Sequence, residues 1–187
     1  MTNRLKTLRY AVLPLFIALC LPLFAQEKKD DPTQLLDHLA GNWVMEGTLG
    51  GKPSTHDVTA EWILNHEYLR FHEVSREKNK DHRPAYEAIV ILTWDNKADE
   101  YRCLWLDTTA GGGLSVPTAR AKRDGQSIPF VFPPPYDSLH TTFKYENLAD
   151  RWQLTIDDVK DGKTDRFGNL TLKRVVAANT PHRPPPR

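Results

Sequence analysis

Between Asn42 and Val175 the chain offers no helical pattern long enough to carry it from one parallel strand to the next. Short runs of alternating apolar and polar residues follow one another instead, each closed by turn residues. "NWVMEGTL" sets Trp43, Met45 and Leu49 against Val44, Glu46 and Thr48, and Gly50-Gly51 then marks a turn. "HDVTAEWIL" sets Val58, Ala60, Trp62 and Leu64 against Asp57, Thr59 and Glu61. "EYLRFHEV", "YEAIVILTW", "YRCLWLD", "LSVPTARAK", "SIPFVF", "LHTTFKYE", "RWQLTI" and "RFGNLTLKRV" continue the series. Asp161-Gly162, between the last two, is a strong two-residue hairpin signal. Without crossovers a parallel α/β sheet is excluded, and an antiparallel meander remains. Roughly ten strands in a meander leave edges that closure removes, so we expect an up-and-down β-barrel, with a β-sandwich as the alternative.

One helix is expected, ahead of the first strand. Asp31 suits its cap, Pro32 its first position and Gln34 a capping box, with Leu35, Leu36 and Leu39 on one face and Gly41 as the stop. So short a helix serves as a lid or plug.

A helix running into Gly-x-Trp on a first strand resembles the pattern of the lipocalins and the wider calycin group. In that pattern the tryptophan lies at the closed end of the barrel, and an arginine of the last strand packs over it. Trp43 and Arg174 match those positions. The chain also resembles a bacterial family of lipocalin-like domains of unknown function. It shares Leu39-Ala40-Gly41 with Trp43, then Trp94-Asp95, Lys97, Tyr101 and Trp105-x-Asp107, and finally Arg174. The resemblance runs from about Leu39 to Val175 and departs at the charged insert "SREKNKDHRP" and at "FVFPPPYDS". It implies a calycin-type barrel with Trp43 and Arg174 in structural roles. It implies little about function, because fold does not fix function.

The ends read differently. Arg4, Lys6 and Arg9 precede the apolar run "YAVLPLFIALCLPLF", and Ala25 precedes "QEKKDD". We expect residues 1–25 to be a secretory signal peptide, 26–177 the barrel domain, and the proline-rich 178–187 a disordered tail. The apolar run is short of the roughly 20 residues of a membrane span, so no span is expected after processing and the location is periplasmic or secreted. Cys20 leaves with the signal peptide, and Cys103, then the sole cysteine, is read as a small core hydrophobe.

The balance of 25 Lys and Arg against 24 Asp and Glu gives no electrostatic case for nucleic acid. Cys-x-x-Cys, His-Glu-x-x-His and Gly-x-Ser-x-Gly are all absent from the sequence, and "AGGGLS" precedes a strand rather than a phosphate-binding helix. No metal and no cofactor is expected. Haem-binding barrels of the nitrobindin type, a similar architecture, take a histidine from the last strand; Phe167 stands at the best-matching position here.

The expected function is to hold a small apolar or amphipathic ligand, with Trp62, Arg70, His72, Tyr101, Trp105 and Asp107 lining the pocket. "EYLRFHE" leaves two orientations open. Leu69 and Phe71 face the core and Arg70 and His72 face solvent, or Arg70 and His72 enter the cavity, pair with Glu61 and Asp107, and bind an acid head group. Asp107 orients a ligand or caps its own strand end. The alternatives are an enzyme working through His72 and Asp107, and an interaction module with a filled core. The run "YEAIVILTW" is apolar on both faces, so its outer face calls for cover by the helix, the tail or a second subunit, which makes a homodimer the partner hypothesis.

Overall fold

The computed structural model describes residues 31–109 and 117–175. The expected signal peptide and tail, and "AGGGLS", lie outside them. After a five-residue helix, α1 (Thr33–Asp37), come ten strands: β1 (Gly41–Leu49), β2 (Lys52–Ile63), β3 (Tyr68–Ser75), β4 (Glu87–Asp95), β5 (Glu100–Asp107), β6 (Ala119–Ala121), β7 (Ser127–Val131), β8 (Leu139–Glu146), β9 (Arg151–Lys160) and β10 (Lys163–Arg174). Each strand pairs antiparallel with the next, and β10 returns to β1 to close the barrel. The tight hairpins follow their turn chemistry. Gly50-Gly51 and Asp161-Gly162 have positive φ at both positions, the twist that matches flanking strands. Phe167 is the extra residue of a bulge in β10, between Arg166 and Gly168.

The helix ends at Asp37, ahead of the expected stop at Gly41, because barrel side chains take the carbonyls that would continue it. The Trp43 indole donates to Leu39 O (2.8 Å), and the Trp152 indole to His38 O (3.2 Å). Arg174 donates to His38 O and Ala40 O (2.9 Å each) and to both carboxylate oxygens of Asp150 (2.7 and 3.1 Å). Its guanidinium carbon lies 4.0 Å from the centre of the Trp43 ring. Gly41 is glycine for a steric reason. Its φ is +136°, and a Cβ there would lie 2.4 Å from an Arg174 guanidinium nitrogen. At the other end of α1 the Tyr101 hydroxyl donates to Pro32 O (2.6 Å). Leu35, Leu36 and Leu39 are buried beneath these contacts, so α1 is a plug for one end of the barrel.

Above the plug the interior is filled. Phe143 meets Phe71, Phe130 and Trp152 edge-on, with ring centres 5.9, 6.2 and 6.5 Å apart. Leu69 and Phe71 are fully buried, which decides the orientation of β3. Arg70 and His72 face outward, where Arg70 pairs with Glu61 and His72 with Glu87 (2.8 Å). The outer face of β4 is not covered by α1, which is engaged at the barrel end; Ile89 stays exposed beside its cross-strand neighbour Leu106.

Two outcomes follow. Phe71→Ala should lower unfolding free energy by about 3–5 kcal/mol. Arg70→Ala breaks a half-exposed ion pair and should cost under about 1 kcal/mol in the same urea titration. The Arg174 hydrogen bond holds the Asp150 carboxyl below its ordinary value, outweighing the opposing effect of burial. A lowered folded value means that the ionised carboxylate stabilises the fold above the ordinary carboxylate range. That contribution disappears as pH falls through the folded value. Asp150→Asn should therefore destabilise the protein at neutral pH and flatten its loss of stability in acid, read as Tm against pH.

Candidate functional site

Toward the end opposite the plug, inward side chains shrink or turn polar, and the barrel opens into a cavity of about 820 Å³. The inward cross-strand partners of β2 and β3 show the gradient. Trp62 stands opposite Leu69 and Ala60 opposite Phe71; then Val58 faces Glu73, and His56 faces Ser75. Leu49, Leu154, Ile156, Leu170 and Phe132 give the cavity an apolar wall. Its polar groups come mainly from β2, β3, β5 and the residues flanking β4.

At the centre of the polar side lies a chain of three groups. His56 and Glu73 are 1% and 2% exposed, and the His56 Nδ1 sits against a Glu73 carboxylate oxygen. On its other side, His56 Nε2 lies 2.7 Å from the Ser54 hydroxyl. In the tautomer that carries its proton on Nδ1, the His56 Nε2 can accept from the Ser54 hydroxyl. Ser54 Oγ also reaches Glu77 at 3.3 Å, a longer contact. Burial raises the Glu77 carboxyl, but hydrogen bonds from backbone amides, including that of Thr55 (3.0 Å), more than offset it together with the smaller lowering effects around the group, so it sits below its ordinary value.

A second chain adjoins the first. The Trp105 indole donates to the Tyr86 hydroxyl (3.0 Å), which donates to Asp107 (3.4 Å). The Tyr86 ring lies 5.9 Å from the His56 ring. Burial pushes the Tyr86 phenol upward, and the Glu73 charge adds to the effect, so Tyr86 stays protonated as a donor. Asp107 also accepts the Thr109 amide and hydroxyl (2.6 and 2.7 Å), so it both caps its strand end and lines the cavity.

Of the residues expected to line a pocket, Trp105 and Asp107 do. Trp62 and Tyr101 point inward but belong to the plug: the Trp62 indole donates to Asp37 (2.8 Å) and stacks on His66. Arg70 and His72 lie on the outer wall, because β3 is in phase with Leu69 and Phe71. An enzyme built on His72 and Asp107 fails for the same reason, since the barrel wall separates them. The acid-binding cavity falls too. Glu73, Glu77 and Asp107 bring three carboxylates to the cavity lining, against Lys52 as its only lysine or arginine among the described residues. Trp43 and Arg174 lie together at the plugged end, away from the cavity lining.

His56, Glu73 and Ser54 went unrecognised in the sequence, yet Glu73 is in phase with Leu69 and Phe71, and His56 with Val58 and Ala60. Polar residues in register with a buried apolar stripe were the available signal. No cluster of three or more metal-ligating residues occurs among the described residues. Phe167, where the haem-binding comparison needs a histidine, lies at the cavity lining. The His56 Nε2 faces Ser54, and its Nδ1 is in ion-pair contact with Glu73. No family model matches the chain, and no curated protein is significantly similar to it.

His56→Ala should cost about 3–5 kcal/mol, because it leaves the Glu73 carboxylate buried without its partner. The double replacement His56→Leu with Glu73→Leu should cost much less than the single change, and a double-mutant cycle by urea unfolding measures the difference.

Proposed function

We propose that the barrel binds a small amphipathic molecule, with an apolar body and a head group that donates hydrogen bonds. The observation that carries this reading is the cavity itself. Its size falls in the roughly 300–1,000 Å³ range of small-molecule sites, and its polar groups converge on one side of an apolar wall. The head-group chemistry follows from charge. Glu77 and Asp107 accept hydrogen bonds when ionised, and the buried Glu73 charge lies behind them, so an amine or hydroxyl is favoured and a carboxylate is repelled.

The finer reading is a lipocalin-like barrel of the calycin type, exported to the periplasm or beyond. Arg174 stacked on Trp43 next to Gly41 at the plugged end supports the first part. The basic start and apolar run of the N-terminus support the second. Among the described residues no helix is long and apolar enough to cross a membrane.

Trp105 alone among the tryptophans lines the cavity, so its fluorescence reports occupancy. Titration with decylamine, decanol and decanoate should give binding of the amine and alcohol at least about tenfold tighter than the acid. Trp105→Phe should remove the fluorescence change while native mass spectrometry still shows the decylamine complex. Tightest binding of decanoate would reverse the head-group assignment, and no binding of any of the three would remove the ligand-holding function.

A further inference from the structure

The chain Glu73–His56–Ser54 has the connectivity of a serine nucleophile with its base and the group that orients the base. A carboxylate lies in ion-pair contact with one imidazole nitrogen, and the other faces a hydroxyl at 2.7 Å. We infer that Ser54 is an acyl-accepting nucleophile, and that the cavity takes carboxylic esters with an apolar acyl chain and a hydroxyl- or amine-bearing alcohol part. The inference rests on the ligand-holding reading of the same cavity and names its substrate class.

Three features separate this arrangement from an ordinary buried ion pair. Ser54 and His56 are two residues apart on β2, so both side chains point inward, with the hydroxyl toward the open end of the cavity. Glu73 and His56 are buried while Ser54 is only half-buried, so the hydroxyl is the member of the chain that an entering molecule meets first. The apolar wall of Leu154, Ile156 and Leu170 lies in the same cavity and can receive the acyl chain. Glu77 and Asp107 are then left to accept from the alcohol part.

In the reaction Ser54 Oγ bonds to the ester carbonyl carbon while its proton passes to His56 Nε2. The carbon–oxygen bond to the alcohol breaks, and the alcohol leaves with that proton. Water then attacks the acyl-serine carbonyl in the same sense, gives its proton to Nε2 and releases the carboxylic acid. Ser54 recovers its proton, so the cycle consumes one water and one ester and needs no oxidant or metal. His56 is the catalytic base, and Glu73, which acts through it, is a positioning residue.

The test uses the protein with two probes, p-nitrophenyl decanoate and a decyl fluorophosphonate. Intact-mass and peptide mass spectrometry should place one phosphonyl adduct on Ser54, and p-nitrophenol should appear in a burst of about one equivalent. Ser54→Ala should lose the adduct and the burst but keep decylamine binding and Tm. Glu73→Gln should lower kcat at least about tenfold with KM little changed, the signature of misplaced base rather than lost binding. A wild-type protein that binds decylamine yet carries no adduct at Ser54, or a Ser54→Ala variant that retains the burst, overturns the nucleophile. A protein that binds none of the decyl ligands overturns the ligand reading separately; an adduct on Ser54 would still stand.

Discussion

A single guanidinium closes this barrel. A helix that stops after five residues leaves carbonyls without intrahelical partners. Arg174 serves His38 and Ala40 together, while its face lies on Trp43 and its remaining donors meet Asp150. Arginine suits the task because one planar group offers five donors in fixed directions. Trp43 stands directly opposite Arg174 in the β1–β10 pairing, so the contact also marks where the last strand returns to the first. Closure of the sheet, seating of the plug and conformation of the chain at Gly41 are one constraint.

With one end sealed, the other can be hollow. The aromatic layer of Phe71, Phe130 and Phe143 separates the plug from the cavity and makes the filled half self-sufficient. Beyond it β2, β3 and β8 carry Ser54, Ser75 and Thr141 to the lining. These are too small to meet across the barrel. On those three strands the hollow follows from side-chain size. Most of the folding energy can come from the sealed half, which frees the open half to carry groups that contribute little to stability.

The alternation of period two was legible in the sequence, and with it the strand order and the hairpins; the Trp43–Arg174 contact was implied by the calycin resemblance. Depth along the barrel was not. Trp62 and Tyr101 share the inward face with Trp105, but inward at the plug and inward at the cavity look alike in a periodic pattern. The prominence of Arg70 and His72 misled in a different way. Charged residues draw attention as ligands, whereas their phase against Leu69 and Phe71 already placed them outside. The same phase placed Glu73 inside, where an isolated carboxylate is costly, and so required a partner. That partner, His56, lies on the neighbouring strand; the register of β2 on β3 brings the two together, and the register depends on a turn whose three positive-φ residues, Leu64, Asn65 and His66, are not glycine.

The buried His56–Glu73 pair is hard to explain as a device for stability. Desolvating a carboxylate costs several kcal/mol, and apolar replacements of a buried pair at similar volume are often neutral or stabilising. The neighbouring inward positions show what the barrel uses when it only needs filling: Leu69 and Phe71 on the same strand, Val58 and Ala60 on the next. Nor does the pair fix the register, which the apolar face already specifies along both strands. What remains is its effect on Ser54. Glu73 lies against Nδ1, and Nε2 faces a hydroxyl that lines the cavity. A rule of packing is broken at the point where the interior meets the space a ligand would fill, which is where local violations with a functional cause are expected.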